Sequence, residues 1–180
     1  YSEIMFLANM INDLSTLSRA ERGVGDNAEI INTKKLGEDL YNKYQKEVST
    51  KGLTLDLDLD SNLKNIKTSR LYLEELLQNI ITNSIKYTKE GDVLISIKNE
   101  GNSIRFAVTD TGIGISKNDQ QKIFNKFYRS EDYRTRETGG TGLGLYVASK
   151  LARKMNTKIE LQSRLNYGST FSFKLPSAKD

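Results

Sequence analysis

Asn79, Asn83 and Lys86 share one face of a stretch whose apolar residues recur at helical spacing. At 100° per residue, Glu75, Asn79, Asn83 and Lys86 fall within an arc of about 80°, and Leu73, Leu76, Leu77, Ile80 and Ile81 occupy the other side. A solvated polar face is one reading of that arc. Asparagine, however, is a poor interior helix former, and a face chosen only for solubility would carry Lys, Glu or Gln. Two amides one turn apart, followed by an ammonium, suit oxygen donation to a hard cation and attraction of an anion. Mg2+ keeps several waters and accepts few protein ligands beside phosphate oxygens, so one or two amides suffice for it.

Asp110 directly follows an apolar run and precedes Gly112 and Gly114. Asp and Gly dominate turns, so on its own the segment reads equally as a turn. Its other reading is a buried carboxylate accepting a hydrogen bond from an exocyclic amine such as that of adenine, with Gly112 and Gly114 letting the backbone approach the ring. Further along, Gly139-Gly140-Thr141-Gly142-Leu143-Gly144-Leu145 frees the backbone where a helix begins, so that N–H groups and the helix dipole can face an anion. A flexible linker would share the glycines but not Leu143, Leu145 and Val147, which signal packing. The strand-loop-helix order of a dinucleotide fingerprint is missing, and so is the Lys-Ser/Thr of a P-loop. Three constellations in order within about 70 residues, each suited to a different part of Mg-ATP, point together to ATP chemistry.

Such groups need rigid carriers. Ala28 to Thr33 reads as a short strand, and Lys35 to Lys51 as an amphipathic helix with Leu36, Leu40, Tyr44 and Val48 inward. Leu53, Leu55, Leu57 and Leu59 alternate with polar residues as in a half-buried strand. Ser69 is placed to cap the helix of the asparagines, which runs to about Tyr87. Asp92 to Lys98 and Ser103 to Thr109 form a hairpin over Glu100-Gly101-Asn102. Ser116 to Asp119 reads as a capping box for a helix ending near Phe127, the glycine run opens a helix to about Met155, and Thr157 to Ser163 with Gly168 to Leu175 closes the domain. The pattern predicts an α+β fold, a two-layer sandwich with helices on one face of a mixed sheet. Ahead of it, Ile4, Leu7, Ile11 and Leu14 make the seam of a coiled coil or bundle, ended by Gly23 and Gly25. Its partner is a helix outside this sequence, a second subunit, or the domain itself.

The chain is large enough to bury a real core, with 180 residues and 37% apolar content. A net charge of +4 from 27 basic and 23 acidic residues, interspersed, does not suggest nucleic-acid binding. No run approaches the ~18 apolar residues of a membrane helix, and no signal pattern opens the chain. We therefore expect a soluble piece without direct membrane contact. Cysteine is absent, which excludes disulfides and thiolate metal sites, and histidine is absent, which removes the commonest general base. Catalysis must run on carboxylates, amides, Lys, Arg and a hard cation. Because Tyr1 falls inside an apolar repeat, we expect a fragment of something longer.

Together these residues resemble the catalytic ATP-binding domain of a sensor histidine kinase, within the superfamily of type II topoisomerases, Hsp90 chaperones and mismatch-repair ATPases. Leu76 to Thr88 is similar to the family's asparagine box and Asp110 to Gly114 to its first glycine box. Ile123 to Arg129 is similar to its phenylalanine box, Arg136 to Leu145 to its second glycine box, and Gly168-Ser169-Thr170-Phe171 to its terminal box. The resemblance extends from Thr33 to Pro176. Met10 to Glu21 also looks like the second helix of the family's dimerisation and phosphoacceptor hairpin, which fits the orphan seam.

The resemblance implies the Bergerat fold, with a mobile lid over roughly Ser116 to Thr138. It implies that Asn83 ligates Mg2+ with Asn79 assisting, that Lys86 and Arg129 contact phosphates, and that Tyr87 lines the ribose and adenine side. Asp110 would hold the adenine amine with Thr170 nearby through water, Gly112, Gly114 and Ile115 would flank the base, and Gly140, Thr141, Gly142, Leu143, Gly144 and Leu145 would form the phosphate loop. Domain bounds follow: 1–22 a partial dimerisation domain, 23–32 linker and first strand, 33–180 the catalytic domain. Implied partners are the phosphoacceptor helices of a homodimeric parent and a response-regulator receiver domain, in the cytoplasm, whether or not the parent is anchored in the membrane. The acceptor histidine is absent from this chain. A conformational ATPase of the superfamily carries a glutamate base where Asn79 stands, and an amide cannot take water's proton. A serine kinase of the superfamily and a silent nucleotide-binding module are the remaining alternatives; the helix before Gly23 weighs against the first and the intact boxes against the second.

Overall fold

The computed structural model describes residues 2–130 and 142–179. Along the chain run α1 (Ser2–Glu21), β1 (Ala28–Ile31), α2 (Thr33–Thr50), β2 (Thr54–Leu59), β3 (Ile66–Ser69) and α3 (Arg70–Lys86). There follow β4 (Asp92–Glu100), β5 (Ser103–Asp110), α4 (Lys117–Gln120), α5 (Gly144–Lys154), β6 (Glu160–Arg164) and β7 (Gly168–Pro176). The main sheet has the order β2-β4-β5-β7-β6, parallel between β2 and β4 and antiparallel elsewhere. A parallel neighbour needs a crossover, and α3 lies inside the one between β2 and β4. That connection seats the asparagine helix on the sheet.

Alternation decides which face is covered. Val93, Ile95 and Ile97, then Ile104, Phe106 and Val108, then Phe171, Phe173 and Leu175 are buried, and their neighbours along each strand are half-exposed or exposed. Helix α2 lies against β2 and β4, α3 against β5, and α5 against α3, so the helices occupy that one face. Phe106 stacks on Phe173, its partner in register, with ring centroids 5.1 Å apart. Each such side chain removed from water is worth roughly 1.5–3 kcal/mol. The two-layer α+β arrangement expected from the sequence is the one observed.

Local chemistry sets the helix starts. The Asn32 side chain accepts the Lys35 N–H at 2.9 Å, and Ser69 accepts that of Tyr72 at 3.2 Å. The sequence pattern leaves out one strand, and one expectation needs correction. Strand β3, paired antiparallel with β1, is too short to announce itself by alternation. The helix expected to reach Phe127 stops at Gln120; turns follow, and Phe127 adopts φ 63°, which no helix interior tolerates.

Helix α1 has two working faces. Thr16, Leu17 and Ala20 are buried, and the helix touches α5. On the opposite side Ile4, Leu7, Ile11 and Leu14 stay 71%, 56%, 66% and 41% exposed. It therefore docks on its own domain through residues other than the seam.

Candidate functional site

A cavity of about 1460 Å³ opens between α1, α3, α5 and the segments after β5. Its walls include Asn79, Asn83, Lys86, Tyr87, Asp110, Gly114, Ile115, Arg129, Gly142, Gly144 and Leu145. The structure thus brings together residues that the sequence spreads over four segments.

At one end Asp110 terminates β5 with its side chain pointing inward, 6% exposed. Burial pushes its carboxyl up from the ordinary value, and the Gly112 N–H, the Ser84 hydroxyl and the Ser169 N–H oppose that rise. The Gly112 N–H donates to Oδ1 at 2.9 Å. Ser84 Oγ, fully buried beside it, is close enough to favour the carboxylate yet makes no hydrogen bond of full geometry among the described residues. A desolvated acceptor of this kind is suited to a donor arriving from the cavity, such as the amine of a purine.

The loop after Asp110 is fixed by bonds to its surroundings. Ile113 donates to the Tyr87 carbonyl at 3.2 Å, Asn166 donates to the Ile113 carbonyl at 2.6 Å, and Ile115 donates to Ser163 Oγ at 2.8 Å. A Cβ at Gly112 would run into the Tyr87 carbonyl and lie 2.8 Å from Thr88 Oγ1, and one at Gly114, where φ is 68°, would strike the Arg164 carbonyl. The glycines are therefore required by close approach of the protein's own backbone, where the sequence suggested approach to a ring. Gly112 itself stands behind the cavity wall, as does Leu143, fully buried at the N-cap of α5.

Thr170 requires a correction. It pairs with Thr109 in register, and the two hydroxyls lie 3.0 Å apart on the face of the sheet away from Asp110. The residue opposite Asp110 is Ser169, buried, lining the cavity and 2.7 Å from Ser163 Oγ. Strand alternation could have found it. Ser84 had a signal too, a hydroxyl set among the apolar positions of α3.

At the other end Asn79, Asn83 and Lys86 line the wall half-buried, as the helical arc predicts. Burial pushes the Lys86 ammonium down, the Arg129 guanidinium pushes it further, and the Asp13 carboxylate opposes both. Two cations therefore bear on one region, an arrangement fit for a polyanion. Amide oxygens beside them fit a hard cation, and among the described residues no cluster of acidic ligands competes for it. Asn9, Asn12 and Asp13 of α1 join this wall. The seam pattern gave no hint of them, because they sit on the helix's other side.

Ile123, Tyr128 and Arg129 of the phenylalanine-box segment line the cavity. Phe127 donates to the Gly142 carbonyl at 3.0 Å, and Tyr128 and Ser130 hydroxyls both donate to Asp119. Burial would raise the Asp119 carboxyl, but the Ser130, Tyr128 and Ser116 hydroxyls and Lys122 hold it below its ordinary value. Gly139, Gly140 and Thr141 of the expected phosphate loop, and the part of the expected lid from Glu131 to Thr138, lie outside the described residues.

Comparison with known proteins gives a family and several relatives. The family of histidine kinase-, DNA gyrase B-, and HSP90-like ATPases matches over residues 68–179. A sensor-like histidine kinase, SenX3 of Mycolicibacterium smegmatis, is 34% identical over 178 residues, covering 97% of this chain and 46% of the relative. The histidine protein kinase SaeS of Staphylococcus aureus is 30% identical over 172 residues, 94% of this chain and 49% of that protein. The chain spans about half the length of the curated relatives it matches. Among solved structures, full-length ShkA in complex with AMPPNP superimposes with a TM-score of 0.84 at 25% identity, over 97% of this chain and 36% of that one.

Proposed function

Because the chain belongs to the family of histidine kinase-, DNA gyrase B-, and HSP90-like ATPases, we propose that it is the ATP-binding catalytic domain of a sensor histidine kinase. In this reading residues 33–180 form the catalytic domain, 23–32 the linker with its first strand, and 1–22 the second helix of a dimerisation and phosphoacceptor hairpin. The reading is carried by the convergence on one cavity of a buried carboxylate with Asn83, Lys86 and Arg129.

Asp110 selects the base by accepting from its exocyclic amine, and Tyr87, Ile115 and Ser169 line that end. Lys86 and Arg129 hold the phosphates, assisted by the loop from Gly140 to Leu145. Asn83, with Asn79 assisting, would hold Mg2+, which would supply neutralisation of phosphate charge. A histidine from another segment or subunit attacks the γ-phosphorus; the N–P bond forms as the bond to the β–γ bridging oxygen breaks, and ADP leaves. The phosphoryl group then passes to an aspartate of a response-regulator receiver domain. With Asn79 in place of a glutamate, water finds no base, and hydrolysis is slow.

The partners of this reading are the phosphoacceptor helices of a homodimeric parent and the receiver domain, in the cytoplasm. The test is transfer in trans. Mixed with γ-labelled Mg-ATP, this chain is expected to remain unlabelled, and adding a histidine-bearing dimerisation hairpin is expected to give acid-labile phosphate on the hairpin. Acid-stable label on this chain alone would favour a serine kinase instead.

A further inference from the structure

Lys51 does not line the cavity, yet its side chain ends on the helix that carries the site's amides. As C-cap of α2 it donates its backbone N–H to the Glu47 carbonyl. Its ammonium reaches the far end of α3 and donates there to the carbonyls of Ile85 and, at 3.0 Å, Lys86. The last carbonyls of a helix have no partner within it. In α3 each is met: Asn83 by the Tyr87 N–H, Ser84 by the Thr88 hydroxyl at 2.7 Å, Ile85 by the Thr88 N–H at 3.4 Å together with Lys51, and Lys86 by Lys51. The next carbonyl, that of Tyr87, accepts the Ile113 N–H. One turn of backbone is thus tied to an ammonium on one side and to the loop after Asp110 on the other.

That turn carries Lys86, the last helical residue, and Tyr87, both on the cavity wall. Helix ends fray, and a terminal residue holds a fixed direction only when its backbone is anchored. A cation at this end also faces the negative pole of the helix dipole. We infer that Lys51 is a positioning residue: its ammonium fixes the last turn of α3 and so sets where Lys86 stands relative to the Asp110 loop. The inference rests on the reading of the cavity as an ATP site.

The experiment uses the whole 180-residue chain with Lys51→Met, which keeps the aliphatic stem, and Lys51→Arg, which keeps a cationic donor. The probe is Mg-AMPPNP, titrated calorimetrically well below the melting midpoint of each variant. Lys51→Met is expected to weaken binding about tenfold and to speed hydrogen exchange at Tyr87, Thr88 and Ile113, while Lys51→Arg stays within about twofold of the parent. A Lys51→Met protein that melts lower but binds the probe normally would overturn the inference, as would an arginine variant no better than methionine. Should the methionine variant not fold, Lys51→Gln replaces it, with the same two outcomes decisive. If the parent chain itself binds no Mg-AMPPNP, the ATP reading falls and the inference with it, whereas normal parent binding beside unaltered variants sinks the inference alone.

Discussion

The two ends of the cavity are built on opposite plans. Around Asp110 the chain closes a nest of backbone donors and small hydroxyls, buried and bonded to one another. Around Asn83 and Lys86 it places half-exposed or exposed amides and charges from α1, α3 and the segment after α4. The difference follows from what each end must recognise. A flat, weakly polar base offers few hydrogen bonds, so each must be made in a dry place where a mismatch leaves a buried group unpaired. A triphosphate offers charge, which attracts from farther off and tolerates imperfect geometry.

If that division holds, the largest loss comes from the base end. Asp110→Asn turns part of the acceptor into a donor facing the purine's own donor, and ATP affinity is expected to fall about a hundredfold while the fold persists. Calorimetric titration with a melting curve checks it; unchanged affinity would reduce Asp110 to a turn residue. At the phosphate end Asn83→Ala is expected to weaken binding only about tenfold and to erase the difference between titrations with Mg2+ and with EDTA. Equal binding with and without EDTA in the parent chain would remove the cation from the site. A third substitution separates neighbours: Ser169→Ala is expected to weaken ATP about fivefold and Thr170→Ala not at all, since only the former side chain shares a face with Asp110.

That last pair shows what the sequence carried and what it did not. The arc of Asn79, Asn83 and Lys86 was legible because a helix turns amino-acid order into a face by a fixed angle. Thr170 went astray because a motif match fixes adjacency along the chain, whereas which side of the sheet a residue faces depends on register against β5. Gly112 and Gly114 were placed rightly beside Asp110, but the atoms that demand them belong to Tyr87, Thr88 and Arg164, distant contacts that no local pattern records. Asn9, Asn12 and Asp13 stayed hidden for a related reason. The apolar seam of α1 explains one side of the helix, and only the docked structure gives the other side a task.

The dry end should also reveal itself in stability. Asp110's folded pKa is raised, burial being the main cause, so its ionisation opposes folding. The neutral acid carries no penalty below the unfolded value near 4; the penalty grows as pH rises from there through the folded value and is constant above it. Asp110→Asn has no such group. The variant's melting temperature relative to the parent is therefore expected to rise by a few degrees between pH 3.5 and pH 7. A difference independent of pH would mean that the nest compensates the charge in full.

The smallest effect expected is the one that probes the wet end most directly. Asp13 reaches the cavity from α1, and its carboxylate favours the Lys86 ammonium that the phosphates would also use. Two anionic groups bearing on one half-exposed cation repel each other, but through solvent, where such terms amount to less than about 1 kcal/mol. Asp13→Asn keeps the side chain's size and removes the charge, so Mg-ATP is expected to bind about threefold more tightly at low ionic strength. Raising salt to about 1 M, where the screening length falls to about 3 Å, should erase the gain. The same salt series on Asp110→Asn should leave its loss largely intact, because a buried hydrogen bond is not screened. Equal salt dependence in the two variants would break the contrast between a nest that selects by geometry and a wall that attracts by charge.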